Sequence, residues 1–275
     1  MLVPKAFLFA HPAKHSLSPA MHNAALANLG IEAAYLAKDI SQEELAAELE
    51  QLRHSDAWGC NLSIPHKEHA LKLMDWLSSE AQAIGAVNTV VVRDQKLLGY
   101  NTDAYGFMRS LEEAGIHVQD AKVVVLGAGG AARAVACGLK YAGAFVALWN
   151  RNTERAKVLC AELGLATHLT DDLLAAALSE CDGLVNTTSV GLEQPMQSPI
   201  PDTLLSDGLA TRWVCDIVYR PLETRLLRTA REKKYKTVDG LGMLVHQGAR
   251  AFELWTGQKP DTETMRNAAL EQLNQ

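Results

Sequence analysis

The segment Lys122–Val135, KVVVLGAGGAARAV, reads as a strand, a glycine turn and the start of a helix. Val123–Leu126 is the apolar run of that strand. Gly127, Gly129 and Ala132 then fit the pattern GxGxxA. The first glycine permits a tight turn. The second lets the backbone approach a pyrophosphate, and the small third residue lets helix and strand pack closely. The helix N-terminus that follows offers N–H groups to the phosphates. A glycine-rich turn alone also arises for steric reasons. Here the strand before it and the Ala-rich helix after it provide the context of a dinucleotide site, with Gly127, Ala128, Gly129, Gly130 and Ala131 as its phosphate-binding turn.

The next strand bears on the choice of cofactor. AFVALWNR closes on Asn150 and Arg151, about where an NAD-binding chain carries Asp or Glu for the ribose hydroxyls. No carboxylate stands there. Arg151 and Arg155 lie one helical turn apart, which places both guanidiniums on one face of a helix start and suits a 2′-phosphate. The other reading of the pair is two ordinary surface arginines on a solvated helix. The expected cofactor is NADP, ahead of NAD.

Upstream, short apolar runs alternate with longer amphipathic ones. KAFLFA, AAYLAKDI, WGCNLSI and NTVVVRD read as strands, SPAMHNAALANLG and SQEELAAELEQLR as helices. The second helix has Ser41 and Glu44 spaced as a capping box. This alternation predicts βαβ units and a mostly parallel sheet. VVVRDQKLLGY is the exception, two β-rich runs flanking Asp94 and Gln95, and predicts a hairpin. A boundary is expected near Asn101–Gly106, at a helix start. The tail from Gly240 reads as two helices packing on the first domain. The expected architecture is α/β with two domains. Residues 1–103 plus 238–275 form a substrate-binding and catalytic domain with a mostly parallel sheet, and 104–237 a Rossmann-like dinucleotide-binding domain.

With 275 residues, 48% apolar and 21% charged, the chain has globular composition and length for two domains. A net charge of −6 makes it a poor general nucleic-acid binder, so an anionic substrate must be drawn by local donors. The five cysteines contain no CxxC pair and read as buried free thiols. The N-terminal apolar run lacks a cleavage pattern, and no stretch approaches the about 18 apolar residues of a membrane span. A cytoplasmic protein is expected, without membrane or nucleic-acid partners. The histidines lack an HExxH or comparable ligand set, so no metal is expected.

Other short segments carry candidate chemistry, each with a plainer reading beside it. In Gly59–Ala70, GCNLSIPHKEHA, an apolar run stops at Pro65 and His66, Lys67, Glu68 and His69 follow. Alone, Lys67 is a surface lysine at a helix start. In HSLSPAMHNA, Ser16 and Ser18 precede Pro19, and Ser18 alone is an N-cap. Asn88 and Thr89 begin one strand of the hairpin. Asn101, Thr102 and Asp103 follow the other, and Asp103 alone is a helix cap.

Taken together, HSLSPAMHNA, NLSIPHK, IGAVNT, GYNTD, GAGGAARAV, NRNTERA, NTTSVGL, DIVYRPLET and GLGMLVHQGARAFELWTG occur in this order over nearly the whole chain. The chain thereby closely resembles the shikimate dehydrogenase family, which includes biosynthetic NADP enzymes and quinate/shikimate dehydrogenases. The resemblance implies that Lys67 and Asp103 are the catalytic pair. An ammonium beside a ketone stabilises the charge that hydride addition builds on the oxygen and can deliver a proton, while a carboxylate holds the ammonium in place. It further implies that Ser16 and Ser18, with Tyr219, bind the substrate carboxylate. Asn61, Ser63, Asn88, Asp103 and Gln247 are implied to bind ring hydroxyls. Neutral donors suit such a ring, because the wrong isomer leaves buried polar groups unpaired. Met243 is implied beside the nicotinamide, and Asn186, Thr187, Thr188, Val190, Ile217 and Gly240 on the cofactor side with Asn150, Arg151, Asn152 and Arg155.

Four departures stand out. Ser63 and Asn152 replace the family's usual threonines, and Ala104 and Ala10 stand where glycine is common. Ser63 keeps a hydroxyl, and Asn152 weakens the case for NADP. The leading expectation is reversible NADP-dependent reduction of 3-dehydroshikimate to shikimate by a monomer or homodimer. The alternatives are a quinate/shikimate dehydrogenase using NAD, an enzyme for an amino analogue, and a regulator on the same fold that binds without turnover.

Overall fold

The structure, a computed structural model, describes residues 3–207 and 211–274. The chain divides into two compact units, Met1–Gly106 with Val245–Gln275, and Phe107–Leu244.

The first unit begins with β1 (Pro4–Ala10), α1 (Ser18–Asn28), β2 (Ala34–Asp39), α2 (Leu45–Arg53) and β3 (Gly59–Leu62). It continues through β4 (Trp76–Leu77), α3 (Ser79–Ile84), β5 (Thr89–Arg93) and β6 (Lys96–Tyr100). These strands form one sheet in the order β2-β1-β3-β5-β6-β4. β1 lies parallel to β2 and β3, and β4 parallel to β6, whereas β5 runs antiparallel to both β3 and β6. β1 serves both faces with its period of two. Phe9 enters a core with Leu45, Leu49, Cys60 and Leu62, while Ala6 and Leu8 join Tyr35 on the other side. The hairpin forms as its sequence predicts. Asp94 (φ 48°) and Gln95 (φ 55°) both take left-handed backbone, the geometry of a two-residue turn matched to strand twist.

Two local expectations change. α1 starts at Ser18 itself, with Leu17 as its N-cap and no side-chain cap. The Ser16 hydroxyl oxygen instead accepts the Ser18 N–H at 3.2 Å. α2 starts at Leu45 rather than just after Ser41. Glu44 bends back so that its carboxylate accepts the Ser41 N–H at 2.8 Å, and residues 42–44 form a turn. Half of the capping box is made, and the helix begins after it.

α4 (Asp103–Glu113) carries the chain into the second unit. There β7 (Lys122–Leu126), α5 (Gly130–Tyr141), β8 (Phe145–Trp149), α6 (Thr153–Leu163), β9 (Thr167–Leu169) and α7 (Asp171–Glu180) follow one another. β10 (Gly183–Asn186), β11 (Trp213–Asp216), α8 (Arg225–Glu232) and β12 (Lys236–Val238) complete the unit. The sheet is parallel throughout, in the order β12-β11-β10-β7-β8-β9. The continuous apolar run of β7 has its explanation here. Val123 and Val125 face a core with Leu139 and Leu148, and Val124 and Leu126 face another with Leu178 and Leu226. Both faces are covered by helices, so both must be apolar. Strand order reverses between β7 and β10, and in open parallel sheets ligands bind at the carboxyl ends beside such a switch.

α9 (Gly240–Thr256) and α10 (Thr262–Leu273) end the chain. From Val245 onward these helices belong to the first unit. Trp255 Nε1 donates to Val90 O at 2.9 Å, tying α9 to β5. No described helix is long and apolar enough to cross a membrane. The five cysteines are buried free thiols, and burial raises each thiol's pKa.

Candidate active site

The turn after β3 answers why a proline introduces a lysine. His66 N–H donates to Ser63 O at 2.8 Å, closing the turn, and the buried His66 ring bonds Ile40 O through Nε2 at 2.9 Å. Lys67 O then accepts the Val87 N–H at 2.8 Å, so the turn is fastened next to the start of β5. Fixed in this way, Lys67 does not extend into solvent. Its Nζ lies 2.7 Å from Asp103 Oδ2, with side-chain exposures of 17% for the lysine and 5% for the aspartate. A pair this buried and this close lies well beyond the solvated ion pairs of a surface.

Asp103 is the first residue of α4, yet its carboxylate serves more than a cap. Asn88 Nδ2 donates to Asp103 Oδ1 at 2.9 Å, and Asn101 Oδ1 accepts the Asp103 N–H at 3.0 Å. The Asn88 amide has one orientation: its Oδ1 accepts the Thr102 N–H at 2.8 Å, which leaves Nδ2 to face the carboxylate. Nδ2 also lies 3.3 Å from Gln247 Oε1, bringing α9 to the same point. Asn61 is joined to this group through Nδ2, at 3.2 Å from Asn88 O and 3.0 Å from Thr89 Oγ1. Lys67, Asn61, Asn88, Asp103 and Gln247 therefore form one connected polar cluster in the first unit. Every neutral member has a partner, as buried polar groups must.

Ser63 stands half-buried in the turn that carries Lys67. Ser18 is buried and Ser16 half-buried at the start of α1. Tyr35, absent from the sequence reading, donates its phenol proton to Asn61 Oδ1 at 2.9 Å. Its place in an alternating strand hid it, because a buried tyrosine is ordinary core until its partner is known.

In the second unit, the glycine turn leaves β7 with Gly127 at φ 119°, where a Cβ would meet Thr187 Oγ1 at 2.5 Å. Only glycine fits both constraints. A Cβ on Gly129 would meet nothing within 4 Å. Space lies open beside that backbone, as the approach of a pyrophosphate requires. No side chain caps α5, so its first-turn N–H groups are available to an anion. Ala132, the third position, is fully buried. Ala128, Gly130 and Ala131 are partly exposed around this turn.

At the end of β8, Asn150 Nδ2 donates to Asn152 O at 3.0 Å, and Asn152 Oδ1 caps α6 by accepting the Arg155 N–H at 3.3 Å. Asn152 thus serves as the side-chain N-cap of α6. Arg151 and Arg155 are exposed, and neither guanidinium has an ion-pair partner among the described residues.

A second buried aspartate, Asp216, was also not singled out by sequence. It ends β11 with no exposed surface. Its Oδ1 accepts from Asn186 Nδ2 at 2.9 Å and Val218 N at 3.1 Å, and its Oδ2 from Thr224 Oγ1 at 2.8 Å. Burial raises its pKa to about 6 against the opposing pull of these donors. Asn186 Oδ1 in turn accepts from Thr188 N (3.0 Å) and Thr188 Oγ1 (2.7 Å), and Val190 N donates to Thr188 Oγ1 at 3.2 Å. The segments bearing Thr187, Thr188, Val190, Ile217 and Tyr219 are all tied to this one carboxylate or to its neighbour. Tyr219 is half-buried, and burial raises its pKa. Gly240 must be glycine because a Cβ would run into the Ile217 carbonyl. Met243 sits in the core of this unit beside Val185 and Cys215. Among the described residues no group of three His, Cys, Asp or Glu is placed to hold a metal ion.

Comparison with known proteins agrees with this geometry. Residues 8–90 match the profile of the shikimate dehydrogenase substrate binding domain. Residues 110–198 match that of shikimate / quinate 5-dehydrogenase, and 240–270 that of the shikimate 5′-dehydrogenase C-terminal domain. A shikimate dehydrogenase (NADP(+)) of Thermus thermophilus is 49% identical over 259 residues, covering 94% of this chain and 95% of its own. The crystal structure of shikimate 5-dehydrogenase from Thermus thermophilus, in complex with NADP(H) and shikimate, superposes with a TM-score of 0.91 at 46% identity. That likeness covers 98% of this chain and 100% of the other. Quinate dehydrogenase from Corynebacterium glutamicum, in complex with NAD, gives 0.89 at 32% identity over 98% and 99% of the two chains. Similar in sequence over nearly its full length and in fold over both units, the chain belongs to the shikimate dehydrogenase family.

Proposed function

We infer that the chain catalyses the reversible NADP-dependent reduction of 3-dehydroshikimate to shikimate. The observation that carries this reading is the contact of 2.7 Å between Lys67 Nζ and Asp103 Oδ2, set among neutral amides. In reduction, Lys67 stabilises the negative charge growing on the ring carbonyl oxygen and gives that oxygen its proton. Asp103, held by Asn88, aims the ammonium and accepts from a ring hydroxyl. Asn61, Ser63, Asn88 and Gln247 orient the remaining hydroxyls, and Ser16, Ser18 and Tyr219 bind the carboxylate. When bound, NADPH supplies the hydride. The residues of the second unit fit that cofactor: an open approach at Gly129, an uncapped helix start and two unpartnered arginines where a ribose-binding carboxylate would otherwise stand.

Initial rates with shikimate or quinate, each with NADP or NAD, test the reading. Fast turnover is expected for shikimate with NADP. Equal turnover with quinate or NAD would move the chain to the branch of its quinate-dehydrogenase relatives. The double change Arg151→Ala and Arg155→Ala is expected to raise KM for NADP at least about tenfold, a loss of about 1.4 kcal/mol or more, with KM for NAD unchanged. An equal rise for both cofactors would remove the 2′-phosphate from the account.

A further inference from the structure

We propose that Tyr35 is a positioning residue for the substrate site, fixing the Asn61 amide so that it meets a ring hydroxyl as an acceptor and not as a donor. The proposal rests on Asn61 lining that site. The chain of bonds leaves one solution. Asn61 Nδ2 lies 3.2 Å from the Asn88 carbonyl oxygen, which can only accept, so the amide nitrogen must face it. The second N–H of the same amide is directed at Thr89 Oγ1, 3.0 Å away. Asn61 Oδ1 is therefore the atom 2.9 Å from the Tyr35 phenol, and the proton between these two oxygens comes from the phenol. Both Asn61 donors are engaged and one acceptor position remains. A hydroxyl that meets Asn61 must donate to it.

The phenol is well placed to hold the amide in this orientation. Tyr35 is fully buried, and its ring stacks on His22 with centroids 4.3 Å apart and planes 10° from parallel. Trp255 packs against both rings, its centroid 6.0 Å from that of Tyr35 and 5.5 Å from that of His22. His22 is itself fully buried, and burial lowers its pKa to about 3, so the stack remains neutral at working pH. Stacked on one face and with no exposed surface, the ring has little freedom to turn, and its hydroxyl stays aimed at one oxygen.

The test is a double-mutant cycle of Tyr35→Phe and Asn61→Ala read by steady-state kinetics. Tyr35→Phe keeps the stacked ring and deletes one O–H. The expected result is a rise in KM for shikimate of about fivefold to tenfold, the effect of one buried hydrogen bond, falling on KM rather than kcat and leaving KM for NADP unchanged. In the Asn61→Ala background the same change is expected to add less than about twofold, because its target oxygen is gone. Additive effects would overturn the proposal. So would a Tyr35→Phe effect shared by both substrates with a fall in melting temperature, which marks a structural role. If Asn61→Ala raises KM for shikimate and Tyr35→Phe does not, the positioning role fails while the site stands. If neither moves it, the placement of Asn61 in the site fails first.

Discussion

Among the described residues each compact unit buries one aspartate, one at a helix start and one at a strand end, each pinned by an asparagine, and the two are used differently. Asp103 follows β6, is bonded by Asn88 and has the Lys67 ammonium against its other oxygen. Asp216 ends β11, is bonded by Asn186 and has neutral donors elsewhere, Thr224 Oγ1 and Val218 N. The first pair combines a mobile proton with a partly exposed ammonium, which is the equipment of acid–base chemistry. The second has no proton to move in its ionised form and no exposed surface. It works as a fastening that gathers the segments after β10 and β11. A buried carboxylate is therefore not a catalytic signature by itself; the nature of the group on its second oxygen decides.

The sharpest way to break this contrast is Lys67→Ala. If the first aspartate belongs to the chemistry, removing its ammonium lowers kcat by about 10²- to 10⁴-fold, the usual contribution of a positioned proton donor. Shikimate binding, measured by equilibrium titration, is expected to weaken far less. A kcat within tenfold of the parent would dismiss Lys67 as the acid and leave the contrast without its main term.

The two aspartates also differ in how visible they are before folding is known. The buried sheet of the second unit follows from one apolar run and a glycine turn, and the hairpin from Asp94 and Gln95 between β-rich runs, because these signals are local. The site residues are not local. Lys67 and Asp103 are 36 positions apart, and nothing in either neighbourhood marks them as partners; resemblance to a family joined them, and the packing of the β3 turn against β5 and α4 accounts for it. Tyr35 and Asp216 lie 26 and 30 positions from Asn61 and Asn186, outside the reach of any spacing rule. Local signals also overstate: Ser41 and Glu44 have the spacing of a capping box, yet only the Glu44 half forms, since residues 42–44 close a turn before the helix.

Asp216→Asn sharpens the contrast through pH. Burial raises the Asp216 pKa from 3.8 to about 6. A raised folded-state pKa means that the native state holds a proton that the unfolded chain has released between these values. The resulting stabilisation is complete below about 3.8 and is lost as pH rises through about 6. Over the whole pH range this loss amounts to about 3 kcal/mol. Asparagine does not titrate, so the variant is expected to gain about 2 kcal/mol relative to the parent between pH 4 and pH 7 in urea unfolding. A difference that stays flat with pH would mean that the carboxylate is better solvated than its place at the end of β11 implies.

Thr224→Val tests the smallest part of the fastening. Thr224 Oγ1 donates to Asp216 Oδ2 at 2.8 Å and accepts the Leu227 N–H at 3.3 Å, so one hydroxyl both steadies the carboxylate and caps α8. Loss of the cap alone costs about 1 kcal/mol and does not depend on pH. Loss of the donor weakens only the ionised carboxylate, which moves the Asp216 pKa further up. At pH 5 the carboxyl is already mostly protonated, and the variant is expected to lose little beyond the cap. At pH 8 the unsupported charge adds its own cost, so the destabilisation should be larger there. Equal losses at both pH values would separate the cap from the carboxylate and leave Asp216 held by Asn186 and Val218 alone. The corresponding change at the first aspartate, Asn88→Ala, is expected to appear in turnover, because Asn88 Nδ2 holds the carboxylate that faces Lys67.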